Sequence, residues 1–149
     1  MISAESVKQL RDKTGASMLE CKKALEEAEG DEAKAREILN RRGAALAQKK
    51  AEREIKAGII DSYIHANQKI GVLLELGCET DFAARNEVFK GLAHDLCLHI
   101  SAADPQNVEE LLTQPFVKNQ EQKVQDLING AIGQIGENIK ISKFTRFAI

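Results

Sequence analysis

The apolar residues of this 149-residue chain change period once, and that change limits what the chain can fold into. Up to Leu39 they recur every three or four residues, as on the buried face of a helix. From Gly58 they come instead in β-branched and aliphatic runs of strand length, "GIIDSYIHA" and "KIGVLLELGC". Between the two regimes lies "RRGAALAQKKAEREIKAG", Arg41 to Gly58, rich in Ala, Lys, Arg and Glu, which reads as an exposed helix or linker.

The first regime holds three short helices. Ser3 and Ser6 open a pattern in which Val7 and Leu10 share a face, and Gly15 in "KTGAS" suits the left-handed end of that helix. Met18, Cys21, Leu25 and Ala28 form a second stripe, which ends at "EGD", where Gly30 closes one helix and Asp31 caps the next. Ala35, Ile38 and Leu39 face inward on the third. Three such helices bury too little to be more than marginally stable alone.

In the second regime "NQ" between the two strand runs predicts a hairpin turn. Asn86 caps a helix carrying Phe89, Leu92, Ala93, Leu96 and Ile100, which ends near "SAADP". A short helical piece, an extended "QPFV", a helix near Gln120 to Ile132 and a last strand from about Asn138 complete the chain. The fold class is therefore α+β. A three-helix module occupies residues 1–42 and a linker helix 43–57. Residues 58–149 form a core of antiparallel sheet packed with helices.

The formal net charge of −2 and pI near 6.0 exclude a broadly basic surface of the kind a general nucleic-acid binder presents. Cys21, Cys78 and Cys97 are odd in number and form no C-x-x-C pair, so they are expected to be reduced packing residues. No apolar stretch reaches signal-peptide or membrane-span length, which makes a cytoplasmic protein the expectation. His94 and His99 lie five apart, off the i, i+4 spacing of a helical metal site. Glu79 and Asp81 read as solvated loop acids. No phosphate loop, nucleophile elbow or acid–base set can be assembled, so the expectation is a non-enzymatic interaction protein. It should bind no cofactor, metal or nucleotide directly.

Three motifs then carry a resemblance. "LRDKTGASMLECKKAL", Leu10 to Leu25, follows the pattern L-R-x-x-T-G-A-x-M-x-x-C-K-K-A-L. "CETDFAARN", Cys78 to Asn86, differs from C-E-T-D-F-V-A-R-N only by Ala83. "IGENIKISKFTRFAI" closes the chain with I-G-E-N-I and a strand bearing R-F. Together, in this order, they resemble the bacterial elongation factor Ts family over nearly the whole chain.

The resemblance implies a guanine nucleotide exchange factor for elongation factor Tu, with an N-terminal module like a ubiquitin-associated (UBA-like) domain. It implies that the Thr80-Asp81-Phe82 corner is inserted near the partner's Mg²⁺ site, with Phe82 wedged between two of its helices. Lys8, Arg11, Met18 and Leu19 match family positions that meet the GTPase domain, and His65 and Ile135 match core positions that touch the partner elsewhere. Long members carry two core units and a protruding helical hairpin. Here "ADPQNVEELLTQPFV" passes almost directly to the closing segment, so a homodimer that restores two units is expected. Thr145 stands where some short members have a cysteine, so that dimer has no disulfide staple. The competing reading is a non-exchanging protein-interaction or dimerisation module with a UBA-like domain. A nucleic-acid partner through "NRRGAALAQKKAER" is disfavoured, because acids are interspersed and the chain offers one Tyr and no Trp for stacking.

Overall fold

The computed structural model describes residues 1–149. Three helices come first: α1 (Ala4–Thr14), α2 (Met18–Glu27) and α3 (Glu32–Lys50). Ser3, Ser17 and Asp31 cap them, each side-chain oxygen accepting the N–H three residues on. Gly15, at φ 74, ends α1 and donates its N–H to the Arg11 carbonyl. Leu10, Cys21, Leu25, Ala35 and Ile38 form their shared core.

One expectation needs correction in this region. Met18 does not join the buried stripe but is 52% exposed, because it is the first residue of α2, and the inward face begins one turn later at Cys21. The boundary expected between residues 42 and 43 falls inside α3, a single helix running on to Lys50. Its second half is half-buried at Gly43, Leu46, Ala47 and Lys50, a helical stripe that packs against a helix of the core. Only from Ala51 does the chain leave helical structure before the first strand.

The core follows as β1 (Ala57–Ile64), β2 (Ile70–Cys78), α4 (Asp81–Ala84), α5 (Glu87–Ala103), α6 (Val108–Thr113), β3 (Pro115–Phe116), β4 (Asn119–Lys123), α7 (Val124–Ile135) and β5 (Lys140–Ala148). The main sheet is antiparallel in the order β1-β2-β5, with Ala57 opposite Cys78, Ile70 opposite Ala148 and a register shift after Glu75. The central strand β2 alternates: Val72, Leu74, Leu76 and Cys78 are buried, whereas Leu73 is half exposed. α5 covers the buried face of β1 and β2, and α7 packs on α5, so that Phe89, Leu96 and Ile100 of α5 share one core with Val124, Ile128 and Ile132 of α7.

The hairpin between β1 and β2 is longer than the "NQ" turn expected. Residues 65–69 make it, with Gln68 at φ 60 and the His65 N–H donating to the Ile70 carbonyl. The helix expected from Gln120 begins only at Val124. Residues 119–123 pair instead as β4 with β3, and the Asp126 carboxylate accepts the Lys123 N–H to fix the helix start.

All three thiols are free and buried. Burial pushes Cys97 up to about 12 and raises Cys21 and Cys78, so each stays protonated and inert. His99, fully buried on α5, accepts the Val117 N–H at Nδ1 (3.2 Å) and shares a 2.8 Å hydrogen bond at Nε2 with Gln114 Oε1. It thus ties α5 to the residues on either side of β3 as a neutral ring, and burial lowers its pKa below the ordinary 6.5. Above that value neither folded nor unfolded chain is protonated there, and the ring contributes its full stability. As pH falls below it, only the unfolded chain takes up the proton at first, and stability is lost until the folded value is passed. The thermal midpoint of the wild-type chain should therefore fall more between pH 7 and about pH 5 than that of His99→Gln. Equal falls by circular dichroism would show that the ring is not an acid-labile tie.

Candidate partner-binding corner

The corner forms where β2 runs out. Thr80 is in extended conformation and caps α4, its Oγ1 accepting the Ala83 N–H at 3.1 Å. The next four residues make one turn of helix, and their sequence decides which way each points. Ala83 and Ala84 are small enough to tuck into the core at 3% and 6% exposure, whereas Asp81 and Phe82 face outward. Phe82 is 86% exposed. Leaving so large an apolar ring in water forgoes roughly 1.5–3 kcal/mol that burial would contribute, so the fold gains nothing from it.

Around this ring the backbone is tightly held. The Glu137 carboxylate accepts the N–H of Glu79 and of Thr80 at Oε1, both at 3.0 Å, and the Thr80 hydroxyl at Oε2, at 2.7 Å. Glu79 returns the bond, its Oε2 accepting the Asn138 N–H at 2.6 Å. The Asn138 side chain, 2% exposed, donates to the carbonyls of Ala51 and Arg53 just beyond α3. Gly136, at φ 83, turns the chain out of α7, and Lys50 at the end of α3 donates to its carbonyl at 2.6 Å. Charged acceptors on backbone donors are the stronger class of hydrogen bond.

Glu79 is therefore not the solvated loop acid expected from sequence: its side chain is only 20% exposed and is engaged by Asn138 and, at 3.7 Å, by Arg53. Glu137 and Asn138, which hold the corner's backbone, are not among the residues that the sequence singles out. The signal was present in "IGEN", where a polar pair follows a glycine suited to end a helix and precedes a strand.

The remaining candidates are dispersed. Lys8 and Arg11 lie exposed on α1, and Met18 and Leu19 are 52% and 60% exposed in the first turn of α2. His65 sits at the hairpin end of the sheet, where its Nδ1 meets the Tyr63 hydroxyl at 2.9 Å. The full length of β2, roughly 30 Å, separates that end from the corner. Ile135 is half-buried at the end of α7, two residues before Glu137. So the structure brings Thr80, Asp81 and Phe82 together, with Ile135 on the supporting segment, and leaves His65 and the module's residues apart from them.

The sequence comparisons agree on what the chain is related to. A family model described as Elongation factor TS matches residues 79–149, the corner and everything after it. Elongation factor Ts of Thermodesulfovibrio yellowstonii is 43% identical over 192 aligned positions, covering 99% of this chain and 96% of the relative. That of Thermosipho melanesiensis is 43% identical over 194 positions, covering 100% and 99%, and that of Acetivibrio thermocellus 41% over 192, covering 99% and 89%. These matches place the chain among the translation elongation factors. It belongs to the elongation factor Ts family. The 192 aligned positions exceed the chain's 149 residues by 43, so the relatives hold at least that many residues that this chain lacks.

A residue that does no packing should be removable without cost. Phe82→Ala is expected to change stability by no more than about 0.5 kcal/mol, whereas Phe89→Ala, fully buried on α5, should cost about 3–5 kcal/mol. Chemical denaturation checks both; a large loss for Phe82→Ala would mean that the ring packs against the core.

Proposed function

We propose that this protein is a guanine nucleotide exchange factor for elongation factor Tu that promotes GDP release by inserting the Thr80-Asp81-Phe82 corner near the Mg²⁺ site. The observation that carries the reading is Phe82 itself, an 86% exposed aromatic on a short helix whose flanking backbone is fixed by Glu137. Family membership supports the partner and the general role. A rigid ring with two side-chain torsions loses little entropy on entering an apolar slot, and such desolvated anchors supply much of an interface's energy.

GTPases hold nucleotide through phosphate-loop amides and Mg²⁺, so a wedge that displaces the loops around the metal weakens nucleotide without touching the base. No covalent bond is made or broken by the factor. Reciprocity requires that nucleotide weaken the factor by the ratio in which the factor weakens nucleotide, and about 4 kcal/mol of coupling is already a thousandfold. GDP is thereby expelled by the factor, and the factor by incoming GTP. Lys8, Arg11, Met18 and Leu19 of the helical module, with His65 and Ile135 of the core, supply further contacts that hold the partner in place. The exposure of Met18 and Leu19 favours contact over packing.

Release of a fluorescent GDP analogue from elongation factor Tu tests the reading. The wild-type chain should accelerate it strongly, and Phe82→Ala should lower the stimulated rate about thirtyfold, the effect of losing roughly 2 kcal/mol of anchoring. Tight binding of the partner without acceleration would instead establish the non-exchanging interaction module.

The homodimer rests on the sheet. Its outer face carries Ile60 at 68%, Ile64 at 65%, Leu73 at 50% and Phe147 at 74% exposure, and no helix covers it. Ser62, Leu73 and Thr145 lie opposite one another across the three strands, so these apolar groups form one surface. A second copy packing face to face, sheet on sheet, buries it symmetrically. Sedimentation should give twice the 16.4 kDa chain mass, and Leu73→Glu should return a folded monomer; a wild-type monomer at high concentration would rule the dimer out.

A further inference from the structure

We infer that Glu137 is the positioning residue of the exchange corner: its carboxylate gathers the Glu79 and Thr80 N–H groups and the Thr80 hydroxyl, and thereby sets the direction in which Phe82 projects. This inference rests on the exchange reading above and adds to it the device by which the wedge is aimed.

The geometry is that of a clamp rather than a chance contact. One carboxylate oxygen takes two successive backbone donors at 3.0 Å each, and the other takes the hydroxyl at 2.7 Å. That hydroxyl has a second duty, accepting the Ala83 N–H, so the carboxylate orients the very group that starts α4. A turn of four residues has no intrinsic stability, because nucleation costs more than its single hydrogen bonds return. What fixes α4 is therefore its two alanines in the core and the clamp on its leading end. Phe82 lies between these anchors, two residues after Thr80 and one before Ala83.

The clamp is also braced from behind. Glu137 follows Gly136, whose carbonyl is held by Lys50, and precedes Asn138, which is bonded to Glu79 and to the chain leaving α3. The carboxylate thus cannot follow the corner if the corner swings. Energy used to re-aim a loose wedge would be lost from the transition state for nucleotide release, which is why a fixed anchor raises the rate.

Three side chains separate positioning from bulk stability. Glu137→Ala removes every acceptor; Glu137→Asp keeps the charge but is one methylene too short to reach all three donors; Glu137→Gln keeps an acceptor oxygen for both N–H groups. With elongation factor Tu and a fluorescent GDP analogue, Glu137→Ala and Glu137→Asp should lower the saturating rate of release about tenfold, and Glu137→Gln should recover most of it. In a Phe82→Ala background the same substitutions should have no further effect, because a residue that acts only by aiming the ring has nothing left to aim. Amide hydrogen exchange on the free chain should show Glu79 and Thr80 protected in the wild type and opened in Glu137→Asp, with β2 still protected. Wild-type rates in Glu137→Ala and Glu137→Asp would overturn the inference while leaving the exchange reading intact. An undiminished effect in the Phe82→Ala background would overturn it in favour of a general structural role. A wild-type chain that failed to accelerate release would defeat the exchange reading, and the inference with it, even if the amides were protected.

Discussion

Three stretches of chain far apart in sequence, at residues 51–53, 79–80 and 136–138, end at one point, where they satisfy each other's backbone hydrogen-bonding groups. Buried or half-buried polar backbone cannot go unpaired without a cost of about 1–3 kcal/mol per group, and the N–H groups of Glu79, Thr80 and Asn138 and the carbonyls of Ala51 and Arg53 have no backbone partner to hand. Glu137, Glu79 and Asn138 supply the missing partners in a reciprocal arrangement. The helical module, the central strand and the last helix are all joined there. Because the junction is rigid, the residue just beyond it can be left unpacked without the loop collapsing, and that residue is Phe82.

The same junction explains the role of α3. With only a small core of its own, the three-helix module would be marginal as an independent unit. α3 extends past that core and lays Gly43, Leu46 and Ala47 along α7, while Lys50 neutralises the carbonyl end of α7 at Gly136. Gln134 reaches back to the Gly15 carbonyl and Arg36 pairs with Glu121, so module and core are tied at both ends of the helix. In the proposed exchange role this continuity matters mechanically, because the helical module that carries Lys8, Arg11, Met18 and Leu19 is joined to the core by one helix rather than by a loose tether.

What the sequence revealed and what it concealed divide along the range of the interactions. Ser3, Asp31, Asn86 and Gly15 were legible because a cap is satisfied within three or four residues, whereas Ser17 was not singled out. The strands β1 and β2 were legible from their β-branched and aliphatic runs, and the corner from its motif. The continuity of α3 was hidden because a stripe of Gly, Ala and one Leu has too little apolar character to be read as a buried face, although close packing needs small residues there. β4, in "NQEQK", pairs by backbone alone and leaves no apolar pattern. The Glu137 clamp spans 58 residues, and nothing local at either end announces the other.

An exposed aromatic on a braced corner is a costly feature unless a partner receives it. The most direct measurement is the ¹⁹F spectrum of the chain labelled with fluorophenylalanine, with the Phe82 signal assigned by its loss in Phe82→Leu and followed as elongation factor Tu is added. If the ring enters the partner, this resonance moves on saturation and loses its H₂O–D₂O solvent shift, while the signals of the buried Phe89 and Phe116 hold their positions. A Phe82 resonance that kept its free position and its full solvent shift in the saturated complex would rule out insertion of the ring, which would then remain in water while the partner was bound.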